Sequence, residues 1–145
     1  MALGNPLLSD EGVGVHILGE IEKHIPPPRP FDLLDSGNSS MRVLHNLKGH
    51  EKAVFVDCAL MGVKPGEMKR FLPEEAFSAK QIQGFSLHEG DLMKTLELAK
   101  MLGDLPEQVV IFGIQPASLE PGEKLSPALA AKLAFYTDQI MGEFK

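Results

Sequence analysis

The sequence lacks the features that mark secreted and membrane proteins. It contains one cysteine, Cys58, in 145 residues, which excludes an internal disulfide and a cysteine-rich zinc site and fits a reducing cytoplasm. No apolar run reaches the length of about 18 residues that suggests a transmembrane helix, and the N-terminus does not have the pattern of a signal peptide. We therefore expect a cytoplasmic protein that does not insert into a membrane.

Runs of basic residues are also missing. The 14 lysines and arginines are spread along the chain, and the formal net charge is −6. Proteins that bind nucleic acid or an anionic membrane concentrate positive charge on one surface. We expect neither kind of partner here.

The residues that are present are typical of a globular chain. Hydrophobic residues make up 43% and charged residues 23% of the composition, which is the balance of a folded sequence rather than a disordered one. A chain of this length can bury a normal core, and we predict a single domain over residues 1–145.

Hydrophobic spacing and capping signals predict four helices. Prolines at the end of the first helix and after the cap of the last one mark their bounds. The four segments are residues 13–25, capped by Ser9 or Asp10; a helix carrying Met41, Leu44 and Leu47 after a cap within residues 38–40; residues 86–102, opened by the capping box "SLHE"; and the segment from Ser126-Pro127 to the C-terminus.

Short apolar runs predict the strands. The runs are the N-terminal "MAL", "FDLLD" (31–35), "AVFVDCAL" (53–60), "EMKRFL" (67–72) and "QVVIFGI" (108–114). The connection "MGVKPG" is too short for a crossover, so the runs at 53–60 and 67–72 are expected to form an antiparallel hairpin. Strands that alternate with helices predict a three-layer α/β fold. Its sheet is mostly parallel and twisted, with about five strands, helices on both faces and one antiparallel strand.

The stretch "GNPLLSDEGVG", residues 4–14, carries three glycines beside Asp10 and Glu11. A glycine-rich turn between a strand and a helix is typical of phosphate binding. This one lacks the Lys-Ser/Thr pair of a phosphate-binding loop, its glycine spacing misses the dinucleotide fingerprint, and its two acids would repel a phosphate. We therefore expect no phosphate at this turn.

Four polar residues fall where strands end or a helix begins, namely Glu11, Asp35, Asp57 and His88. Ligands of open α/β sheets bind beyond the carboxyl ends of the strands. Two carboxylates and one imidazole there form a plausible divalent-metal site with open positions for water or substrate. Each residue also has a purely structural interpretation: Glu11 as a first-turn acid, Asp57 as a loop cap, His88 as a core histidine and Asp35 as an Asx-turn residue.

Two further groups have a weaker functional interpretation. Cys58, next to Asp57, is either a small core residue or a thiol nucleophile. His45, His50 and Glu51 are either a metal cluster or a solvated helix end. In both groups the structural interpretation is the simpler one.

The motifs resemble a known family. "GNPLLSDEGVGVHIL" is similar to the N-terminal signature of the hydrogenase maturation endopeptidases, G-N-x-x-x-x-D-[DE]-x-x-G. The stretches "LLDSGN", "VFVDCALMGVKPGE", "SLHEGDL" and "IFGIQPASLEPG" follow in the family's order. The second motif departs from the family, since relatives more often have "DGGT" or "DCGT" where this chain has "DSGN".

The resemblance implies an activity and a set of residues. Such proteases remove a C-terminal extension from the large-subunit precursor of a nickel–iron hydrogenase after nickel has been inserted. The family's metal-binding and catalytic residues fall on Glu11, Asp57 and His88, and the nickel comes with the precursor. The loop that holds Asp35, Gly37 and Asn38 is expected to contact the substrate, and the three glycines of residues 4–14 to let the turn and helix pack closely.

Two other functions use the same ligands and stay open. One is a nickel-checking or scaffold protein of hydrogenase assembly that binds the precursor without cutting it. The other is a metal-dependent hydrolase of small molecules. Shortening of the precursor distinguishes the protease from both.

Overall fold

A computed structural model describes residues 1–76, the backbone of residues 86–87, and residues 92–145. The strands of this part form one sheet with the order β2-β1-β3-β6-β4, and β5 pairs with the end of β3. The six strands are β1 (Ala2–Leu3), β2 (Asp35–Gly37), β3 (Lys52–Leu60), β4 (Met68–Phe71), β5 (Ser86–Leu87) and β6 (Gln108–Ile114).

The named helices cover both faces of this sheet. Short 3-10 helices at Ser9–Gly12 and Gly142–Phe144 precede the first helix and follow the last. The helices are α1 (Val13–His24), α2 (Ser40–Leu47), α3 (Leu92–Leu102), α4 (Pro127–Ala130) and α5 (Leu133–Met141).

Strand β3 is the centre of the sheet. It runs parallel to β1 on one side and to β6 on the other. Because side chains alternate between the two faces of a strand, Phe55 packs into one hydrophobic cluster while Val54 and Val56 pack into the other. The first cluster lies under α2 and α3, and the second under α1 and α5. This arrangement confirms the predicted three-layer α/β fold.

The predicted hairpin is wrong. Strand β4 is antiparallel, as expected, but it pairs with β6 rather than with β3. Both edges of β3 are occupied by parallel neighbours, so the chain after β3 passes to the far edge of β6. Strand β3 nevertheless gains an antiparallel partner, because β5 pairs with its residues Ala59 and Leu60.

Two boundaries also differ from the prediction. The run at 31–35 enters the sheet only at Asp35, since its partner β1 has just two residues to pair with. Ser86 lies in strand β5 and does not cap a helix, and the described helix begins at Leu92 and ends at Leu102 as predicted. In α2 the buried residues are Val43 and Leu47.

The predicted apolar face of α2 is confirmed at Leu47, which is buried, and at Leu44, which packs against the same cluster, but not at Met41. Met41, which was assigned to it, is 71% exposed. The cap of this helix is Ser39, whose hydroxyl accepts a hydrogen bond from the Arg42 N–H at 3.2 Å.

Within the described part of the chain, no helix is long and apolar enough to cross a bilayer.

Candidate active site

The turn after β1 depends on its glycines. Gly4 has φ +103°, and a Cβ there would lie 2.2 Å from the carbonyl oxygen of Glu11. A Cβ on Gly12 would lie 2.7 Å from the Cα of Pro6, and one on Gly14 would lie 2.9 Å from the Cβ of Ala2. Such distances are well inside van der Waals contact, so only glycine fits at these positions. The predicted close packing of turn and helix is confirmed.

Glu11 lies in the 3-10 helix between this turn and α1. It is 4% exposed, and the N–H of Asn5 donates a hydrogen bond to its Oε2 at 3.3 Å. The turn therefore folds back over the Glu11 side chain and holds it from the N-terminal side. The position is unusual for a simple first-turn acid, because a carboxylate that serves only the helix dipole is normally solvated.

Asp57 lies within β3 and is 1% exposed. The prediction that it ends the strand is wrong, because pairing with β5 extends β3 to Leu60. Asp57 faces Gly113 of β6 in the ladder and directly follows Val56, which pairs with Ala2 of the short strand β1. Asp57 thus lies level with the end of β1, where the turn that carries Glu11 begins.

The buried thiol of Cys58 lies near three acidic residues. Burial raises the pKa of its thiol, and the charges of Asp57, Glu11 and Asp10 raise it further, in that order. All three carboxyl groups therefore lie within electrostatic reach of the Cys58 thiol. A thiol held in its protonated form is a poor nucleophile, which favours the interpretation of Cys58 as a core residue.

The third proposed ligand, His88, lies outside the described residues. Within the described ranges there is no group of three histidine, cysteine, aspartate or glutamate side chains placed to hold a metal. The structure thus brings Glu11 and Asp57 to one region, and the histidine that completes the predicted set stays a prediction.

The loop with Asp35, Gly37 and Asn38 lies next to the glycine turn. The Gly37 N–H donates to Asp35 Oδ1 at 3.0 Å, which is an Asx turn, and the Gly4 N–H donates to the Gly37 carbonyl at 3.0 Å. Asp35 begins β2 rather than ending it, and it is exposed, as is Asn38. Its turn role is confirmed, and its exposure beside Gly4 is compatible with substrate contact.

Asp10 is the residue that sequence reasoning missed. The prediction that it or Ser9 caps α1 is wrong, because the N-cap position is Gly12 and no side chain bonds there. Asp10 is fully buried and accepts backbone N–H groups of Ala117, Ser118 and Ser126. These donors are more than one hundred residues away in sequence, so no local pattern reveals them.

The histidines of the other candidate group do not form a metal cluster. His45 and His50 are exposed, and His50 Nε2 lies 3.0 Å from Asp32 Oδ2. This pair lines a cavity of about 320 Å³ at the amino ends of β1 and β3, away from Glu11. The interpretation as a solvated helix end is confirmed.

A family model described as HycI, hydrogenase maturation protease, matches residues 15–143. The chain belongs to the hydrogenase maturation protease family. The match begins just after the glycine-rich turn and includes both strands that flank the site, β3 and β6.

Individual relatives of this family are similar over most of the chain. The hydrogenase expression/formation protein HupD of Thiocapsa roseopersicina is 30% identical over 134 residues, which are 92% of this chain and 61% of the relative. The hydrogenase 2 maturation protease of Escherichia coli strain K12 is 28% identical over 147 residues, covering 100% of this chain and 88% of the relative. This chain thus spans less than two thirds of the length of HupD.

A solved maturation protease has the same fold. The hydrogenase maturating endopeptidase HybD from E. coli superposes with a TM-score of 0.84 at 25% identity, covering 98% of this chain and 89% of that chain. Together these similarities confirm the predicted family and its α/β architecture.

Proposed function

We propose that this chain is an endopeptidase that removes the C-terminal extension from the large-subunit precursor of a nickel–iron hydrogenase after nickel insertion. The observation that carries the proposal is the pair of buried carboxylates, Glu11 and Asp57, near the carboxyl end of β1 in a member of the maturation protease family. The neighbouring Cys58 has no nucleophilic role in this account, since its thiol is held protonated.

Glu11, Asp57 and His88 are proposed to complete the coordination of nickel that the precursor carries. Two carboxylates buried together are costly without a compensating cation, because desolvation and mutual repulsion both oppose their charges. Carboxylate and imidazole groups suit a divalent transition metal. Nickel arriving with the precursor would offset that cost, which gives the site a preference for loaded substrate over empty substrate.

Coordination through one shared ion would also orient the scissile peptide. The precursor and the protease would be held by the same metal, so that the bond to be cut lies beside the carboxylates. A water activated by the ion or by a carboxylate then attacks the scissile carbonyl. The peptide bond breaks and the extension leaves with a new amino terminus.

The segment of residues 35–38, in which Asp35 and Asn38 are exposed, is proposed to contact the precursor. It is anchored to the glycine turn through the Gly4–Gly37 hydrogen bond, so it lies beside Glu11. Asp35, Gly37 and Asn38 are the residues assigned to this contact. The sequence "DSGN" differs here from the family pattern, which suggests a different substrate preference. The reaction is proposed to take place in the cytoplasm, where the single cysteine stays reduced.

The test is a cleavage assay on nickel-loaded precursor with Glu11→Gln, Asp57→Asn and His88→Ala beside the wild type. We expect wild-type protein to shorten the precursor and all three variants to fail. A wild type that co-purifies with the precursor without shortening it would indicate a nickel-checking protein. Variants that cut normally would show that the site is wrongly assigned.

A control variant separates loss of the site from loss of the fold. Asp138 is an exposed carboxylate on α5, on a different element from the site. Asp138→Asn is expected to cut as the wild type does. Turnover of small esters or amides by wild-type protein, with no action on the precursor, would favour the small-molecule hydrolase.

A further inference from the structure

Asp10 holds two distant segments of the chain together. Its Oδ2 accepts the N–H groups of Ala117 at 2.8 Å and Ser118 at 3.0 Å, and its Oδ1 accepts the N–H of Ser126 at 2.7 Å. The carboxylate is fully buried and both its oxygens are used. Hydrogen bonds from neutral donors to a buried charge are among the stronger ones in proteins.

Backbone bonds fasten the same two segments. The Asp10 N–H donates to the Ser118 carbonyl at 3.2 Å, and the Ser9 N–H donates to the Gly122 carbonyl at 2.8 Å. The Gly122 N–H donates in return to the Leu7 carbonyl at 2.8 Å. Residues 117–126 therefore form a brace for the turn that carries Glu11, with Asp10 at its centre.

Glu11 has little room to move relative to the brace. Glu11 is the next residue after Asp10, and its carbonyl oxygen lies against Gly4 with no room for a Cβ. A shift of Asp10 must therefore move Glu11 away from its contact with the Asn5 N–H. We propose that Asp10 is a positioning residue that fixes the place of the Glu11 carboxylate. This inference rests on the proposed endopeptidase function.

The amide isostere tests this role with the smallest possible change. Asp10→Asn keeps the shape but replaces one acceptor oxygen by an NH₂ donor. With its remaining oxygen on Ala117 and Ser118, the new NH₂ group must face the N–H of Ser126. Two donors then oppose each other in a buried place, which displaces Asp10 and with it Glu11.

A second substitution loosens the brace without changing Asp10. The Ser9 hydroxyl donates a hydrogen bond to the Glu120 carbonyl at 2.6 Å. Ser9→Ala removes this bond, while the three N–H groups that donate to Asp10 are kept.

The measurement is the kcat and KM for cleavage of nickel-loaded precursor, with melting temperature recorded for each variant. Because a small displacement of a reacting group can cost about 100-fold in rate, we expect Asp10→Asn to lower kcat by about that factor while it stays folded. Ser9→Ala should lower kcat less than Asp10→Asn does. In a Glu11→Gln background, Asp10→Asn should add no further loss, since Asp10 acts through Glu11.

Several results would overturn the role of Asp10. One is a folded Asp10→Asn that cuts as fast as the wild type; another is a loss that adds to that of Glu11→Gln. If Asp10→Asn does not fold, Ser9→Ala loosens the same brace and must lower kcat, and an unchanged kcat would contradict the proposal. A wild type that cuts no loaded precursor would instead overturn the proposed function itself.

Discussion

Asp10 and Glu11 are adjacent and both buried, yet they have different partners. Asp10 is surrounded by backbone N–H groups of a distant segment, whereas Glu11 meets the N–H of Asn5 in its own turn. Asp10 therefore joins the turn to a distant segment, whereas Glu11 is held within the turn itself.

Gly14 permits α1 to approach the sheet closely. A Cβ at this position would lie 3.1 Å from the Val56 carbonyl oxygen as well as 2.9 Å from the Ala2 Cβ. We expect Gly14→Ala to lower the free energy of unfolding by about 1–3 kcal/mol, as other overpacking substitutions do. Urea unfolding followed by circular dichroism measures this.

Gly19 is the matched control on the same helix. A Cβ there meets nothing within 4 Å. Gly19→Ala should therefore stabilise the protein by about 0.5–1 kcal/mol through helix propensity alone. Equal effects of the two substitutions would contradict the close contact at Gly14.

Cys58 is predicted to be chemically inert in the folded protein. Burial and the charges of Asp57 and Glu11 raise the pKa of its thiol, and only the thiolate reacts quickly with alkylating reagents. Iodoacetamide labelling near neutral pH, read by mass spectrometry, should be slow in the native state and fast in urea. Cys58→Ala should retain cleavage of the precursor. Rapid native labelling, or a variant without activity, would restore the nucleophile interpretation.

Among the helices and strands, the sequence best predicts the bounds of those whose burial requires a regular pattern of apolar residues. Strand β6 and helix α1 were predicted almost to their ends, because buried strands are continuous apolar runs and α1 repeats its apolar residues along one face. The pairing of β4 was not predictable locally. A short connection after β3 favours a hairpin, and only the sheet as a whole shows that both edges of β3 are taken.

The residues of the candidate site also differ in how well the local sequence predicts them. Glu11 and Asp57 were predicted as site residues from their positions relative to apolar runs, which are properties of the local sequence, and their role stays a prediction. Asp10 was assigned to a helix cap, because its true donors come from residues 117, 118 and 126. Contacts across such separations leave no periodic signal, so a structure was needed to find them.

Tyr136 connects α5 to the turn before β4. Its hydroxyl donates to the Gly66 carbonyl at 2.6 Å, and burial, with the charge of Asp10, raises its pKa to about 12. Tyr136→Phe removes a buried hydrogen bond and should cost about 1–2 kcal/mol of unfolding free energy. Chemical denaturation would measure the loss.

The neighbouring ring provides the opposite substitution as a control. Phe135 is half exposed. Phe135→Tyr adds a hydroxyl that water can solvate, and it should change stability by less than about 0.5 kcal/mol. If Tyr136→Phe were equally neutral, the bond to Gly66 would contribute nothing.

At the scale of the whole molecule, the C-terminal end is fastened to the sheet by charge. The Lys52 Nζ lies 2.9 Å from Glu143 Oε2, and Arg70 of β4 bonds the same carboxylate. The hydrogen bond from Arg70, with a further one from Lys52, lowers the pKa of Glu143 below its ordinary value of 4.5 despite partial burial. Three parts of the chain thus meet at one carboxylate.

This contact should make stability fall in acid. A carboxyl group with a lowered pKa in the folded state stabilises the fold above its unfolded pKa, and this contribution is lost as pH falls through the folded pKa. Glu143→Gln should cost about 1 kcal/mol at neutral pH, because the pair is partly solvated. The cost should shrink well below pH 4.5. Urea titrations across this range test it, with the exposed Glu107→Gln as control; a cost that does not change with pH would contradict the prediction.

The proposed function depends above all on selection of the metal-loaded precursor. The most direct measurement is intact mass spectrometry of a hydrogenase large-subunit precursor, prepared with and without nickel and incubated with wild-type protein. Because Glu11 and Asp57 are proposed to engage the precursor through its nickel, only the loaded form should lose its C-terminal peptide. Equal shortening of both forms, or shortening of neither, would contradict selective cleavage of the nickel-loaded precursor.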